Sequence, residues 1–398
     1  MRLIKSGGGR VQRLAAAALW FFVLFFLPAK LPAIASPSPP PRVTADAAIL
    51  VEWRTGQILL EKNAHQKRSP ASLTKVMTAL LALEKGRLED IVTISPRATQ
   101  VSGSRMYLRA GQKYTLGDLL QGLLLKSGND AALAIAEHIG GSVEGFVQMM
   151  NDRARSLGAW ETEFKNPHGL TTPGHYSSAF DLALLARYAL NNPVFAQLVA
   201  SRETEISELT RSTDIYLRNT NRLLWGFAGA DGVKTGTTSV AGNCLLASAT
   251  RGATRFIAVV LHSDNRWRDS VNLLDYGFAN FSLATPVKQG DVLAYLSVAG
   301  GRKREVALTA EEDLVAVVAV GEGAALRAEV DVADGVRAPV ERGQRLGTVT
   351  LWLKDKLVGQ TSLVAVESIP PKRWAEYFLE VWQSLLQRVV LWEDFDWR

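Results

Sequence analysis

The 398-residue sequence predicts an α+β fold, followed by a small all-β domain and an amphipathic C-terminal helix. Three observations predict it. Strand-like runs, "AAILVEW" from residue 47 and "RFIAVVLH" from residue 255, enclose a long and mostly helical middle. Strands at both ends of a domain pair most simply with each other, in one antiparallel sheet. From about residue 285 the texture changes to β-branched, turn-bounded runs such as "EVALTA", "DLVAVVAV" and "GTVTLWL". After "PPKR", apolar residues recur at three- and four-residue steps.

In chain order, residues 1–35 form the first element. Arg2, Lys5, Arg10 and Arg13 precede the apolar run Leu14 to Leu27, and Ala33 and Ala35 frame a cleavage site before Ser36. This is the pattern of a secretory signal. A retained span is the alternative, but the run is short of the roughly 20 apolar residues a span requires. Residues 36–42, "SPSPPPR", read as an extended linker. The α+β domain is expected over 43–284 and the all-β domain over 285–369. Within the latter, Val349, Leu351 and Leu353 alternate as one buried strand face requires.

Residues 370–398 read as the amphipathic helix, its stripe being Trp374, Tyr377, Phe378, Val381, Leu385, Val389 and Trp392. Aromatic residues on such a stripe suit a bilayer interface, so the membrane surface is the expected partner. A helix docked on the protein's own surface is the alternative. The acidic end, "EDFDW", offers anionic lipid little attraction.

Composition excludes several functions. The formal charge of +6 is concentrated in the first 35 residues, which hold five of the 45 bases and none of the 39 acids. The remainder carries +1, so charge gives no support to nucleic-acid binding. Cys244, the only cysteine, lies in an apolar run and reads as a buried small hydrophobe. His65, His138, His168, His175 and His262 show no paired metal-ligand spacing, so no metal is expected. No glycine loop opens a helix to cradle a nucleotide phosphate, and no cofactor is expected.

Chemistry is carried by three short stretches. In "SPASLTKVMTAL", Ser72 and Lys75 are three residues apart, so one helical turn places them on one face. A serine hydroxyl is a weak nucleophile unless a neighbour accepts its proton. A lysine does so only when burial or a second cation destabilises its ammonium. Alone, Ser72 is equally an N-cap. In "LLLKSGNDAALAIAEHIGG", Ser127 and Asn129 stand in a turn at a helix start, where Ser127 could relay a proton and Asn129 could hold an amide. In "GADGVKTGTTSVAGNCLLAS", Lys234, Thr235 and Gly236 lie on a strand. Lys234 could depress Lys75, and Gly236 would let a substrate backbone lie close. Each stretch has a bland reading as a turn or strand edge. The three in this order within one domain point to a single site.

Ser-x-x-Lys, Ser-x-Asn and Lys-Thr-Gly together form the signature of the penicillin-recognising serine enzymes. "SGNDAA", "NPHGL", "DGVKTG" and "RDSVNLLDYGF" further resemble the D-alanyl-D-alanine carboxypeptidases among the low-molecular-mass penicillin-binding proteins. The resemblance runs from about Val43 to Leu283 and extends to the β domain and tail. It implies a serine β-lactamase/transpeptidase-like domain, an antiparallel sheet flanked by helices with a helical subdomain. It implies removal of the terminal D-alanine from peptidoglycan stem peptides ending in D-Ala-D-Ala, inhibition by β-lactams, and a role in building the cell wall. The enzyme would be exported to the outer face of the cytoplasmic membrane.

By the same resemblance Ser72 is the nucleophile and Lys75 its base. Backbone N–H groups of Ser72 and Thr237 form the oxyanion hole. Ser127 and Lys234 pass the proton to departing D-alanine, and Thr235 or Thr237 helps hold its carboxylate. His168 is expected to shape a loop beside the site. A class A β-lactamase is the nearest rival, but the residues four beyond Glu161 and Glu163 are Lys165 and Pro167, not the asparagine of that family's Glu-x-x-Leu-Asn loop. A transpeptidase, or a non-catalytic wall-binding protein retaining the fold, are the others.

Overall fold

The computed structural model describes residues 38–210 and 213–390. The signal, the start of the linker, Trp392 and the acidic end of the tail lie outside the described residues.

Five antiparallel strands form the central sheet, in the order Ile58–Lys62, Ala47–Glu52, Thr254–Ser263, Gly242–Arg251, Ala230–Thr238. The first and last strands of the region are neighbours, with Ala47 opposite Leu261, so its two ends do pair. Alternation along one strand shows how the sheet is buried. Ile257, Val259 and Leu261 join Ile49 and Val51 in the larger core, on the side of the middle helices. Phe256, Ala258 and Val260 join Leu273 and Leu274 of the helix Arg266–Asn280 on the other face. Because helices cover both faces, these strands read as continuous apolar runs rather than alternating ones.

The middle of the chain supplies the helices, with two small hairpins, Ile91–Thr93 with Lys113–Thr115 and Glu203–Glu208 with Thr213–Arg218. Side-chain caps set several helix starts. Thr115 accepts from the Asp118 N–H, Ser142 from Gly145 and Ser178 from Asp181. The helix Lys75–Lys85 differs from its neighbours. Val76, Met77, Ala79, Leu80, Leu81 and Ala82 are all buried, covering every face of its first two turns. A helix apolar all round belongs inside the molecule, and it carries Lys75 inside with it.

Residues 281–365 build the β-rich part. A six-stranded sheet runs in the order Leu326–Val332, Arg345–Leu353, Lys356–Ala365, Glu305–Ala310, Val292–Ala299, Val336–Arg337, its last pairing parallel. The strand Phe281–Val287 pairs with Leu314–Ala319 and so spans the position expected to divide the two domains. Leu296, Leu308, Val349, Leu351 and Leu363 fill a separate core. The last described element is a helix, Trp374–Val390. No helix among the described residues is long and apolar enough to cross a membrane.

Candidate active site

The three motifs come together at the N-terminal end of the buried helix. Ala71–Thr74 is a single 3-10 turn that runs into Lys75, so Ser72 sits just before the helix proper. Lys75 is fully buried, and its Nζ has three oxygen neighbours: Ser72 Oγ at 2.9 Å, Asn129 Oδ1 at 2.7 Å and the His168 carbonyl at 2.7 Å. Two of these can only accept. Asn129 is oriented by its Nδ2, which donates to the Ser102 carbonyl at 2.7 Å. A neutral amine has two protons and one lone pair. With both protons directed to Asn129 and His168, the lone pair is left facing the Ser72 hydroxyl.

The electrostatics favour that neutral form. Burial holds Lys75 well below the ordinary lysine range, and the nearby Lys234 ammonium lowers it further, while Asp130 opposes. Lys234 is itself buried and depressed, first by burial and then by Arg266. Its Nζ donates to the Thr235 carbonyl at 3.2 Å.

Loops fix the remaining groups. Thr78 Oγ1 donates to the Pro167 carbonyl at 2.6 Å, clamping "NPHGL" to the helix, and Asn166 Oδ1 accepts from the Gly169 N–H at 2.7 Å. This is how the His168 carbonyl reaches Lys75. The His168 ring is pushed down to about 3 by burial, then by Lys75 and His175, so it stays neutral. Ser127 precedes the helix Asn129–Gly140 with φ +63°, a left-handed conformation uncommon outside glycine and asparagine. Asp130 pins the loop that faces this turn, accepting from the Met106 and Leu108 N–H groups at 2.9 and 3.2 Å.

On the strand Ala230–Thr238, Thr235 Oγ1 lies 2.7 Å from Thr220 Oγ1, and Thr237 is exposed at the mouth. A Cβ on Gly236 would come within 3.0 Å of Ala71 Cβ and 3.1 Å of both the Pro70 carbonyl and Ser72 N. The chain's own nucleophile turn presses on this glycine.

Sequence reasoning missed Arg266. Its Nη1 donates to Thr237 Oγ1 at 2.7 Å and to the Gly236 carbonyl at 2.8 Å, placing a guanidinium beside the Lys-Thr-Gly strand. It lies just upstream of the quoted "RDSVNLLDYGF", and no local pattern announces a contact across 29 residues. Thr74 and His175, which join beneath Ser72, were missed for the same reason. Glu161 and Glu163 are engaged elsewhere, with His65 at 3.1 Å and Lys165 at 3.0 Å. Among the described residues no group of three or more His, Cys, Asp or Glu could hold a metal ion.

Comparison with known proteins agrees with this geometry. Residues 34–265 match the D-alanyl-D-alanine carboxypeptidase family (peptidase S11), and residues 281–371 match the C-terminal domain of penicillin-binding protein 5. The chain is 37% identical to the D-alanyl-D-alanine carboxypeptidase DacF of Bacillus subtilis, over 82% of this chain and 86% of that one. It is 36% identical to DacC of Escherichia coli, over 88% and 90%. The crystal structure of penicillin-binding protein 5 from Haemophilus influenzae superposes with a TM-score of 0.70 at 33% identity, covering 84% of this chain and 99% of that one. Fold, motif order and sequence therefore agree: the chain belongs to the D-alanyl-D-alanine carboxypeptidase family and is a serine-type carboxypeptidase of the penicillin-binding class.

Proposed function

We propose that Ser72 attacks the carbonyl between two terminal D-alanines of a wall stem peptide, with Lys75 as its general base. The observation that carries this reading is the three-oxygen setting of Lys75, which leaves a lone pair for Ser72 alone. The tetrahedral oxyanion is received by the N–H groups of Ser72 and Thr237. The proton passes from Lys75 by way of Ser127 and Lys234 to the departing amine, and the C–N bond breaks. Asn129 holds the amide side of the substrate. Thr235, Thr237 and the Arg266 guanidinium beside them suit the terminal carboxylate. Gly236 keeps the strand close enough for the Thr237 N–H to take part. Water then releases the shortened peptide, and a β-lactam acylates Ser72 likewise but leaves slowly.

The same reading assigns 43–284 to catalysis and 285–369 to a spacer. The signal in 1–35 exports the chain, and 370–398 rests on the outer face of the cytoplasmic membrane. Exposed Trp374, Tyr377, Phe378 and Trp382 support the last assignment. The engagement of Glu161 by His65 and of Glu163 by Lys165 speaks against a lactamase-type deacylating carboxylate.

A fluorescent penicillin followed by mass mapping tests the centre of the proposal. The adduct should map to a peptide containing Ser72, and Ser72→Ala should abolish it. With a pentapeptide substrate, a tetrapeptide and free D-alanine should appear. Labelling that survives Ser72→Ala sinks the assignment.

A further inference from the structure

His175 has no part in the chemistry described so far, yet it stands at the end of a hydrogen-bond chain that leads to Ser72. Its Nδ1 accepts from the Lys165 N–H at 3.1 Å, and its Nε2 lies 2.9 Å from Thr74 Oγ1. Burial and Lys165 push the ring down to about 4, so it is neutral, and its one proton must sit on Nε2. Nε2–H therefore donates to Thr74. The Thr74 hydroxyl proton is then left for the Ala71 carbonyl, 2.9 Å away. Every donor and acceptor in the chain is determined.

The Ala71 carbonyl is one end of a planar peptide whose other end is the Ser72 N–H. Turning one end turns the other. That peptide also holds a conformation it would not take freely, since Ala71 has φ +47°. Two glycines press on it from outside. A Cβ on Gly169 would fall 1.8 Å from the Ala71 carbonyl oxygen, and one on Gly236 would fall 3.1 Å from Ser72 N. His175 itself is buried, with its ring edge-on to Phe164 at 5.8 Å.

We infer that His175 is a positioning residue that, through Thr74 and the Ala71 carbonyl, aims the Ser72 N–H at the oxyanion. The inference rests on the assignment of Ser72 proposed above. It touches neither substrate nor the reacting atoms. Its contribution is to hold one donor in the direction where charge develops, and to polarise it through a chain of aligned hydrogen bonds.

The test compares Thr74→Val, His175→Leu and His175→Gln. Acylation by a labelled penicillin is measured per mole of protein titratable at Ser72, so that unfolded protein is not counted. The acyl-enzyme carbonyl stretch is recorded by infrared difference spectroscopy. Thr74→Val and His175→Leu should each acylate roughly tenfold to a hundredfold more slowly, the scale expected for a misaimed donor. The carbonyl stretch should move to higher frequency as its hydrogen bond weakens. The double variant should be no slower than either single one, since all three break the same chain. His175→Gln should restore most of the rate, because its amide offers an N–H to Thr74 and a carbonyl to Lys165. If His175→Leu does not fold, Thr74→Val alone decides. Wild-type rates and an unshifted stretch in the folded variants overturn the inference. So does an equal loss in all variants, glutamine included, without a spectral shift, which would mark His175 as packing only. Labelling at a residue other than Ser72 would instead remove the proposal on which the inference rests.

Discussion

The catalytic region and the β-rich region treat their charges in opposite ways. Between residues 47 and 280 the protein buries Lys75, Lys234, Asp130, Asp181 and Asp269 along with many hydroxyls and amides. Between 281 and 369, among the described residues, Thr361 is the one polar side chain counted as buried. Ion pairs such as Lys303–Glu367, Arg345–Glu311 and Lys354–Glu322 all stay at its surface, where solvent screens them. A buried cation without a carboxylate partner costs several kcal/mol and persists only where something other than stability retains it. The difference teaches where chemistry is to be sought. One region holds charged groups inside, and the other keeps its charges at the surface.

The sharpest way to break this comparison is at Lys75. Lys75→Arg keeps the charge but cannot give up its proton. Penicillin acylation should fall by about 10²–10⁴-fold, the usual worth of a general base. Circular dichroism and the melting temperature report whether the fold is kept. Lys75→Met should be equally inactive yet melt higher than the parent at neutral pH, because it fills the same volume without the cost of taking a lysine's charge out of water. The sign with pH follows from the depressed folded value. Below that value both folded and unfolded lysine are charged, and the full penalty opposes folding. The penalty fades as pH rises and is gone above the unfolded value of about 10.4. The advantage of Lys75→Met should therefore shrink steadily with rising pH. An advantage that grows with pH, or near-normal acylation by folded Lys75→Arg, would refute the reading of this lysine.

The next effect concerns the fit between the strand and the nucleophile turn. Gly236→Ala puts a methyl 3.0–3.1 Å from Ala71, Pro70 and Ser72 N, so the strand or the turn must shift by a few tenths of an ångström. A roughly tenfold loss of acylation is expected from a displacement of that size. The binding constant for penicillin should change less than the acylation rate. Wild-type acylation would show that the two elements are not held in register.

A smaller effect separates the two causes acting on Lys75. Its value is lowered first by burial and then by Lys234. Lys234→Met removes the second cause and leaves the first, so the Lys75 value should rise part of the way back. The acid limb of the acylation rate should move to higher pH, while the residual rate on the plateau falls for loss of the lysine in the proton relay. A limb that stays in place would mean that burial alone sets the base.

Much of this was legible from residues, and the reason for the rest is distance. Ser72 and Lys75 can be read because a helical turn fixes their relation, and "DGVKTG" because β-branched and apolar neighbours announce a strand. The pairing of the first and last strands followed from their apolar character. His175 and Thr74 are 101 residues apart, and Arg266 and Thr237 are 29 apart, joined only by tertiary structure. Local pattern has no access to such pairs. The strand order of the β-rich region, with one parallel pairing, was equally out of reach. Gly236 was read as room for a substrate backbone, and the packing of the chain's own nucleophile turn against it was not foreseen.

The last expectation lies beyond the catalytic region, where turnover should not change at all. Helix Trp374–Val390 leaves Trp374 92%, Phe378 75% and Val381 58% exposed, the first part of the stripe read from sequence. At its start Glu376 pairs with Arg302 at 3.3 Å and Lys372 lies over the Tyr377 ring. A docked helix would bury its apolar face, and the described part of this stripe, up to Val381, is exposed. At about 25 cal/mol per Å² of apolar area, a few such side chains entering a bilayer interface provide several kcal/mol without any help from charge. Deleting 372–398 should therefore abolish flotation of the signal-cleaved protein with liposomes and leave kcat/KM on a soluble pentapeptide within error of the parent. Because the attraction is apolar, flotation should survive both high salt and the removal of anionic lipid. Salt-sensitive flotation would point instead to a basic surface elsewhere. Equal flotation with and without the tail would refute the anchor, and a truncated protein that floats no less but turns over more slowly would return the helix to a structural role within the enzyme.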